Sequence, residues 1–234
     1  MCLIAISIRT GHFPLVIAAN RDEEYERPTI PASYWSDAPD IVGGRDALHG
    51  GTWLAINRDG RFAAVTNLRG SARDPGKRSR GELVPGFVRG GATPKQYVNE
   101  VASHADKYAG FHFLAGVRDD VMQLSGTITR LSAAVHALSN SPVGECWPKV
   151  AIAEAEMTRL GAMTEAPTLI DAILDFLSSP RGTSRPESEI FVKGERYGTR
   201  SSTAIVMTAD AQLYFAEQSF SRGGVRDGDV RRFG

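Results

Sequence analysis

The chain has 234 residues, 42% of them hydrophobic, and its 27 basic and 27 acidic side chains give a formal charge of zero. That length fits one large domain or two small ones with a sizeable core, and the charge balance excludes an overall field that would draw the molecule to nucleic acid or an anionic membrane. Two cysteines, Cys2 and Cys146, are too few for a disulfide framework, and neither they nor the five histidines have metal-ligand spacing.

The N-terminus lacks a basic n-region, and its apolar run is broken by Ser7 and followed by Arg9, so no signal peptide is expected. No stretch is long enough to span a bilayer as a helix, and a cytoplasmic protein is the expectation. Met1 to Ile8 and Leu15 to Ala19 read as strands joined by turn chemistry at Arg9 to Pro14. Thr52 to Ile56 and Arg61 to Leu68 flank Asp59-Gly60, a tight hairpin turn. Between these pairs, Pro28, Pro31 and Pro39 imply an ordered loop or a sheet edge.

Thr93-Pro94-Lys95-Gln96 spells an N-cap, a first-turn proline and a capping-box glutamine, opening a helix to about Tyr108. Phe111 to Val117, Val121 to Ser125, Ile128 to Leu131 and Val135 to Ser139 are short strands. Pro148 to Met163 and Thr168 to Leu177 carry helical periodicity, and Ser201 to Thr208 with Gln212 to Gln218 forms a last hairpin. The order predicts an α+β domain over residues 1–234 with largely antiparallel sheets. Residues 180–189 are the candidate for a mobile loop, and residues 220–234 are expected to fray.

Polar groups interrupt this pattern at Asn20-Arg21-Asp22-Glu23, where a strand end can build a site or merely a solvated turn. Gly43-Gly44-Arg45-Asp46 and Gly50-Gly51-Thr52-Trp53 suit either a tight corner or a site wall. From Arg69 to Arg80 five cations (Arg69, Arg73, Lys77, Arg78, Arg80) face Asp74. That loop is either solvated or the basic lip of an anion pocket.

Met1-Cys2-Leu3-Ile4, Asn20-Arg21-Asp22-Glu23, Gly44-Arg45-Asp46, Gly50-Gly51-Thr52-Trp53, Thr66-Asn67, Ser79-Arg80-Gly81, Leu138-Ser139-Asn140, Trp147-Pro148-Lys149-Val150 and the run from Tyr197 to Thr203 together resemble the NRDE family, which includes the transport and Golgi organisation proteins. The resemblance spans Cys2 to about Phe220. It implies an N-terminal nucleophile hydrolase-like fold, a four-layer αββα sandwich of two antiparallel sheets. Family members have been linked to Golgi organisation, haem trafficking and handling of acyl-CoA or lipid.

What would chemistry on that scaffold need? Loss of Met1 would make Cys2 the N-terminus, with thiol and α-amine on one residue, the amine having a reference pKa of about 8. By resemblance to the cysteine amidases of the same fold, Asp22 would hold the α-ammonium, Asn67 and Asn140 would face the oxyanion, and Arg200 would lie near the thiol. Asn20, Arg21, Arg45, Thr52, Trp53 and Arg69 would contact substrate. Those amidases carry an arginine three positions before the aspartate, where this chain has Ala19. Because adjacent strand residues face opposite ways, Arg21 is expected to turn from the thiol. Cys146, beside Trp147, is expected in the core. The resemblance implies no cofactor and no metal. Its expected partner is a small molecule, anionic and hydrophobic in character, with no nucleic acid, and the oligomeric state is left open. Two uses follow: a cysteine amidohydrolase or thioesterase, or a non-catalytic carrier of haem or an acyl-CoA-like anion.

Overall fold

The structure, a computed structural model, describes residues 2–71, 76–180, 185 and 187–234. In chain order the elements are β1 (Leu3–Ile8), β2 (Leu15–Glu24), β3 (Thr29–Trp35), β4 (Ala38–Asp46), β5 (Leu54–Asn57), β6 (Arg61–Asn67), α1 (Leu83–Val88), α2 (Pro94–Ser103), β7 (Phe111–Val117), β8 (Asp120–Ser125), β9 (Thr127–Arg130) and β10 (Val135–Ser139). They continue with α3 (Pro148–Leu160), α4 (Ala166–Ser178), β11 (Tyr197–Met207), β12 (Leu213–Ser221), β13 (Val225–Arg226) and β14 (Arg231–Phe233). The chain divides into two compact units.

The first unit comprises Met1–Arg27, Ser132–Ser141 and Glu145–Gly234. Its antiparallel sheet runs β10-β1-β2-β11-β12-β13, with β14 also on β12. Every residue of β1 is buried, which is why LIAISI is nearly continuous in apolar character instead of alternating. One face carries α3 and α4, joined by a core that includes Leu3, Ala18, Met157, Leu169, Ile173 and Val206. The stripe of α4 (Leu169, Ile170, Ile173, Leu174, Leu177) has the spacing of a core-facing helix. The tail differs from expectation: Phe233 pairs with Phe215 and Arg232 with Ala216, so backbone hydrogen bonding anchors a charged segment that composition alone reads as loose.

The second unit comprises Pro28–Leu131 and Pro142–Gly144. Its sheet is a meander, β3-β4-β5-β6-β7-β8-β9, with α1 and α2 packed through Val84, Phe87, Val98 and Val101. Pro31 lies in β3, an edge strand, where a missing N–H costs no ladder bond. Thr93 and Gln96 form the capping box of α2. That helix stops at Ser103 and passes into a 3₁₀ turn over Ala105–Lys107, short of Tyr108. Arg73 and Asp74 of the basic loop, and residues 181–184 and 186 of the expected mobile loop, lie outside the described residues.

Candidate active site

The site grows from strand register in the first unit. Leu3 stands opposite Ser139 of β10 and Asn20 of β2. Continued one step past Leu3, the same register would bring Cys2 level with Asn140 and Arg21, and the charge of Arg21 acts on the thiol. Ser201 of β11 continues the row opposite Arg21. Arg21, Asn140 and Ser201 are all buried, and the Ser201 hydroxyl has no hydrogen-bond partner among the described residues. Cys2 itself is half-buried, and its thiol donates to the Asp22 carbonyl at 3.8 Å.

This placement corrects the expectation for Arg21. Residues 19 and 21 are two apart on β2 and so share a face, because strand side chains repeat every second residue. Relative to the amidase pattern, the arginine moves one step along that face without turning over. Its charge favours the thiolate of Cys2, and its Nη2 lies 4.0 Å from Glu23 Oε2, which also takes Arg27 Nε at 3.6 Å.

Asp22 points to the opposite face of β2 and is held there. Thr199 Oγ1 donates to its Oδ1 at 2.7 Å and in turn accepts from the Val192 amide at 2.9 Å. Tyr197 donates its phenol to the Asp22 carbonyl at 2.8 Å. Between Thr199 and Ser201 the ladder slips by one residue, making Arg200 the bulged position. Its Nη1 donates to the carbonyls of Glu24, Tyr25 and Arg27 at 3.0, 2.8 and 3.2 Å. Arg200 therefore fixes the chain where β2 leaves the sheet.

Asn20 is also a fastener. Its Nδ2 donates to the carbonyls of Leu177 and Ile190, each at 2.8 Å, while its Oδ1 accepts from Ser202 at 2.6 Å. The tetrapeptide thus divides its labour: Asn20 ties the strand to the end of α4, Arg21 and Asp22 flank the thiol, and Glu23 pairs the two arginines.

Burial pushes the Cys2 thiol above its ordinary value, and the Asp22 charge adds to that rise. One group near it has no role in the sequence reading. Lys149, in the first turn of α3, is completely buried, and its Nζ donates to the Glu189 carbonyl at 3.4 Å. Burial lowers its proton affinity, while Asp22, Cys2, Glu189 and Glu187 support its charge, Asp22 foremost. The signal for it was slight: a lysine between buried Trp147 and Val150 in an otherwise apolar first turn. Cys146, expected in the core, is exposed instead, since it sits in the turn before α3 with its thiol outside the packing.

The remaining predicted residues belong to the second unit. There Thr52 Oγ1 donates to the Gly44 carbonyl at 2.6 Å, and a Cβ on Gly44 would collide with the Trp53 ring at 2.3 Å. A Cβ on Gly51 would meet the Gly81 backbone at 2.5 Å. The paired glycines therefore build a tight corner around Thr52 and Trp53. Arg45 bonds Asp37 at 2.9 Å and stacks on Trp35 at 4.5 Å, while Asn67 and Arg69 are exposed near the end of β6. Among the described residues, no helix is long and apolar enough to cross a membrane.

The arrangement in the first unit can present a thiol beside a cation, an amide side chain and a carboxylate held in a fixed rotamer. Those are the parts of an acyl-transfer site. A family model described as Transport and Golgi organisation 2 matches residues 1–222. Curated relatives include the transport and Golgi organisation protein 2 homologues of Homo sapiens, at 28% identity, and Mus musculus, at 27%, each covering 94% of this chain and 93% of the relative. Among solved structures, a Caenorhabditis elegans orthologue of N-acylethanolamine-hydrolyzing acid amidase covers 88% of this chain and 92% of its own, with TM-score 0.54 and 13% identity. That likeness shows the N-terminal nucleophile hydrolase-like fold, with its two antiparallel sheets and their helices.

Proposed function

The chain belongs to the Transport and Golgi organisation 2 family, and from that premise we propose that it is a cysteine hydrolase of amides or thioesters acting through an acyl-enzyme on Cys2. The observation that carries this reading is the Cys2 thiol at the head of β1, donating to the Asp22 carbonyl at 3.8 Å and acted on by the charge of Arg21, with the Asp22 carboxylate fastened by Thr199. The thiolate attacks the carbonyl carbon, and the C–N or C–S bond to the leaving amine or thiol breaks as that group takes up the proton. Water then cleaves the thioester on Cys2 and restores the thiol. Asn140 is assigned to the developing oxyanion. Arg21 favours the attacking thiolate. Loss of Met1 would free the Cys2 amine to serve as base, with Asp22 as its counter-charge.

A second reading, carriage of a hydrophobic anion such as haem or an acyl-CoA, is favoured by Ala19 standing where the amidases carry arginine and by the engagement of Arg200 with three backbone carbonyls. Intact mass of protein from its native host, followed by an acylating probe, separates the two. Hydrolysis requires a mass adduct that Cys2→Ala loses. Binding that survives Cys2→Ala, with no adduct in the parent protein, would leave carriage.

A further inference from the structure

A cavity of about 310 Å³ opens in the second unit between α1, the second half of α2 and the 3₁₀ turn at Ala105–Lys107, a volume within the range of small-molecule sites. None of its lining residues belongs to the candidate active site. Its apolar wall is Leu83, Val101 and the rings of Tyr97 and Tyr108. Both phenols are tied back: Tyr97 donates to the Leu83 carbonyl at 2.9 Å and Tyr108 to Glu82 Oε1 at 2.7 Å. Gly86 leaves the α1 side bare. Glycine is a poor residue inside a helix, but a Cβ there would meet the Tyr97 oxygen at 2.3 Å.

The polar groups of the cavity form two sets. Backbone bonds gather the donors: the Arg78 amide donates to the Lys107 carbonyl at 2.9 Å, and the Lys107 amide to the His104 carbonyl at 3.0 Å. Arg78 uses Nη2 on Glu82 Oε1 at 2.6 Å and keeps further N–H groups available. The Lys107 ammonium has no partner among the described residues. The acceptors lie on α2. His104 Nδ1 stands 3.1 Å from the Glu100 carbonyl, which can only accept, so Nδ1 carries the hydrogen of the neutral ring and Nε2 offers a lone pair. Glu100 precedes His104 by four residues, about 5–6 Å between Cβ atoms on a helix. Its carboxylate is also without a partner among the described residues, so it and Lys107 line one cavity without pairing to each other. Opposite charges held apart in this way suit a ligand that brings both signs itself.

We propose that this cavity binds a small zwitterion, an α-amino acid with an apolar side chain. Its ammonium donates to Glu100 and to His104 Nε2, its carboxylate accepts from Lys107 and Arg78, and its side chain lies on Leu83, Val101 and the Tyr97 ring. A simple carboxylate or a simple amine would leave one of the two sets unanswered. The site does not depend on the chemistry assigned to Cys2.

The test titrates L-phenylalanine into the ¹⁵N-labelled full chain and follows amide shifts, with phenylacetate and phenethylamine as probes that each lack one charge. L-Phenylalanine should shift amides from Glu100 to Tyr108 and saturate below about 10 mM, and loss of either charge should weaken binding about tenfold. Lys107→Gln should weaken L-phenylalanine about tenfold and leave phenethylamine unchanged, whereas Glu100→Gln should do so and leave phenylacetate unchanged. Both positions are exposed, so the fold is retained, and the remaining amide spectrum verifies it. No saturable shift in these amides overturns the proposal. So does equal affinity for the three probes, which would make the cavity an apolar surface only, or an affinity indifferent to both substitutions.

Discussion

Each unit of this protein has a seven-stranded antiparallel sheet and two helices, yet they bury polarity very differently. Of the twenty buried polar or charged residues among those described, fifteen are in the first unit and five in the second. Two buried cations make the contrast sharper. In the second unit, Arg61 donates Nε to the Phe87 carbonyl at 2.8 Å and Nη2 to that of Ala92, and its guanidinium lies 3.9 Å from the Phe87 ring. Its partners are neutral acceptors and a ring, which is how a cation serves packing. Burial lowers the proton affinity of Lys149, and the charge of Asp22 works against that fall. The lesson is that burial lowers the proton affinity of both cations while their surroundings differ.

The strongest way to break this comparison is at Cys2. Cys2→Ala should abolish any acyl adduct and turnover while the melting temperature stays near that of the parent, read by mass spectrometry and thermal unfolding. Loss of folding with no prior adduct would make the thiol a packing residue. Next, Arg61→Met should cost about 3 kcal/mol in urea unfolding, because two carbonyls lose a charged donor, and should leave Cys2 alkylation unaltered. A changed alkylation rate would mean that the two buried cations are not so distinct. Asn20→Ala should cost about 2 kcal/mol, since two carbonyls and the Ser202 hydroxyl lose their partner. If instead it left stability intact and removed ligand binding, Asn20 would belong to the pocket and not to the fastening.

The smallest effect concerns pH. Burial, helped by Glu100, raises Tyr97 to about 12, and burial with the hydrogen bond to Glu82 raises Tyr108 to about 12. Both shifts favour the neutral phenol in the folded state. Their contribution is complete below pH 10 and is lost as pH rises from 10 through about 12. Phenolate absorbance should therefore show Tyr97 and Tyr108 among the late tyrosines of the native protein, with Tyr25 and Tyr197, which burial also raises, and replacing Tyr97 and Tyr108 by phenylalanine should flatten alkaline destabilisation in that window. The Cys2 thiol, also raised, has the same sign starting from pH 9.

Much of the scaffold was readable beforehand. The capping box at Thr93, the Asp59-Gly60 hairpin and the helical stripe of α4 are local signals, settled by backbone geometry and period within a few residues. The pairing of β14 with β12 was not, because a tail of arginine, glycine and aspartate has no apolar pattern and its order comes from ladder hydrogen bonds. Asn20 and Arg200 looked like site residues because they are polar and stand in family blocks. Their engagement with backbone carbonyls depends on the end of α4, the segment after it and the bulge in β11.

By itself the sequence determined the element order, the family and the identity of the cysteine at the head of β1, since these depend on periodicity and on ordered motifs along the chain. Tertiary structure decided which side chains share a face with that cysteine. Register is set by pairing between strands far apart in sequence, and one step of slippage exchanges the two faces of a strand. Asp22 and Arg21 come to the thiol only because β2 pairs with β1.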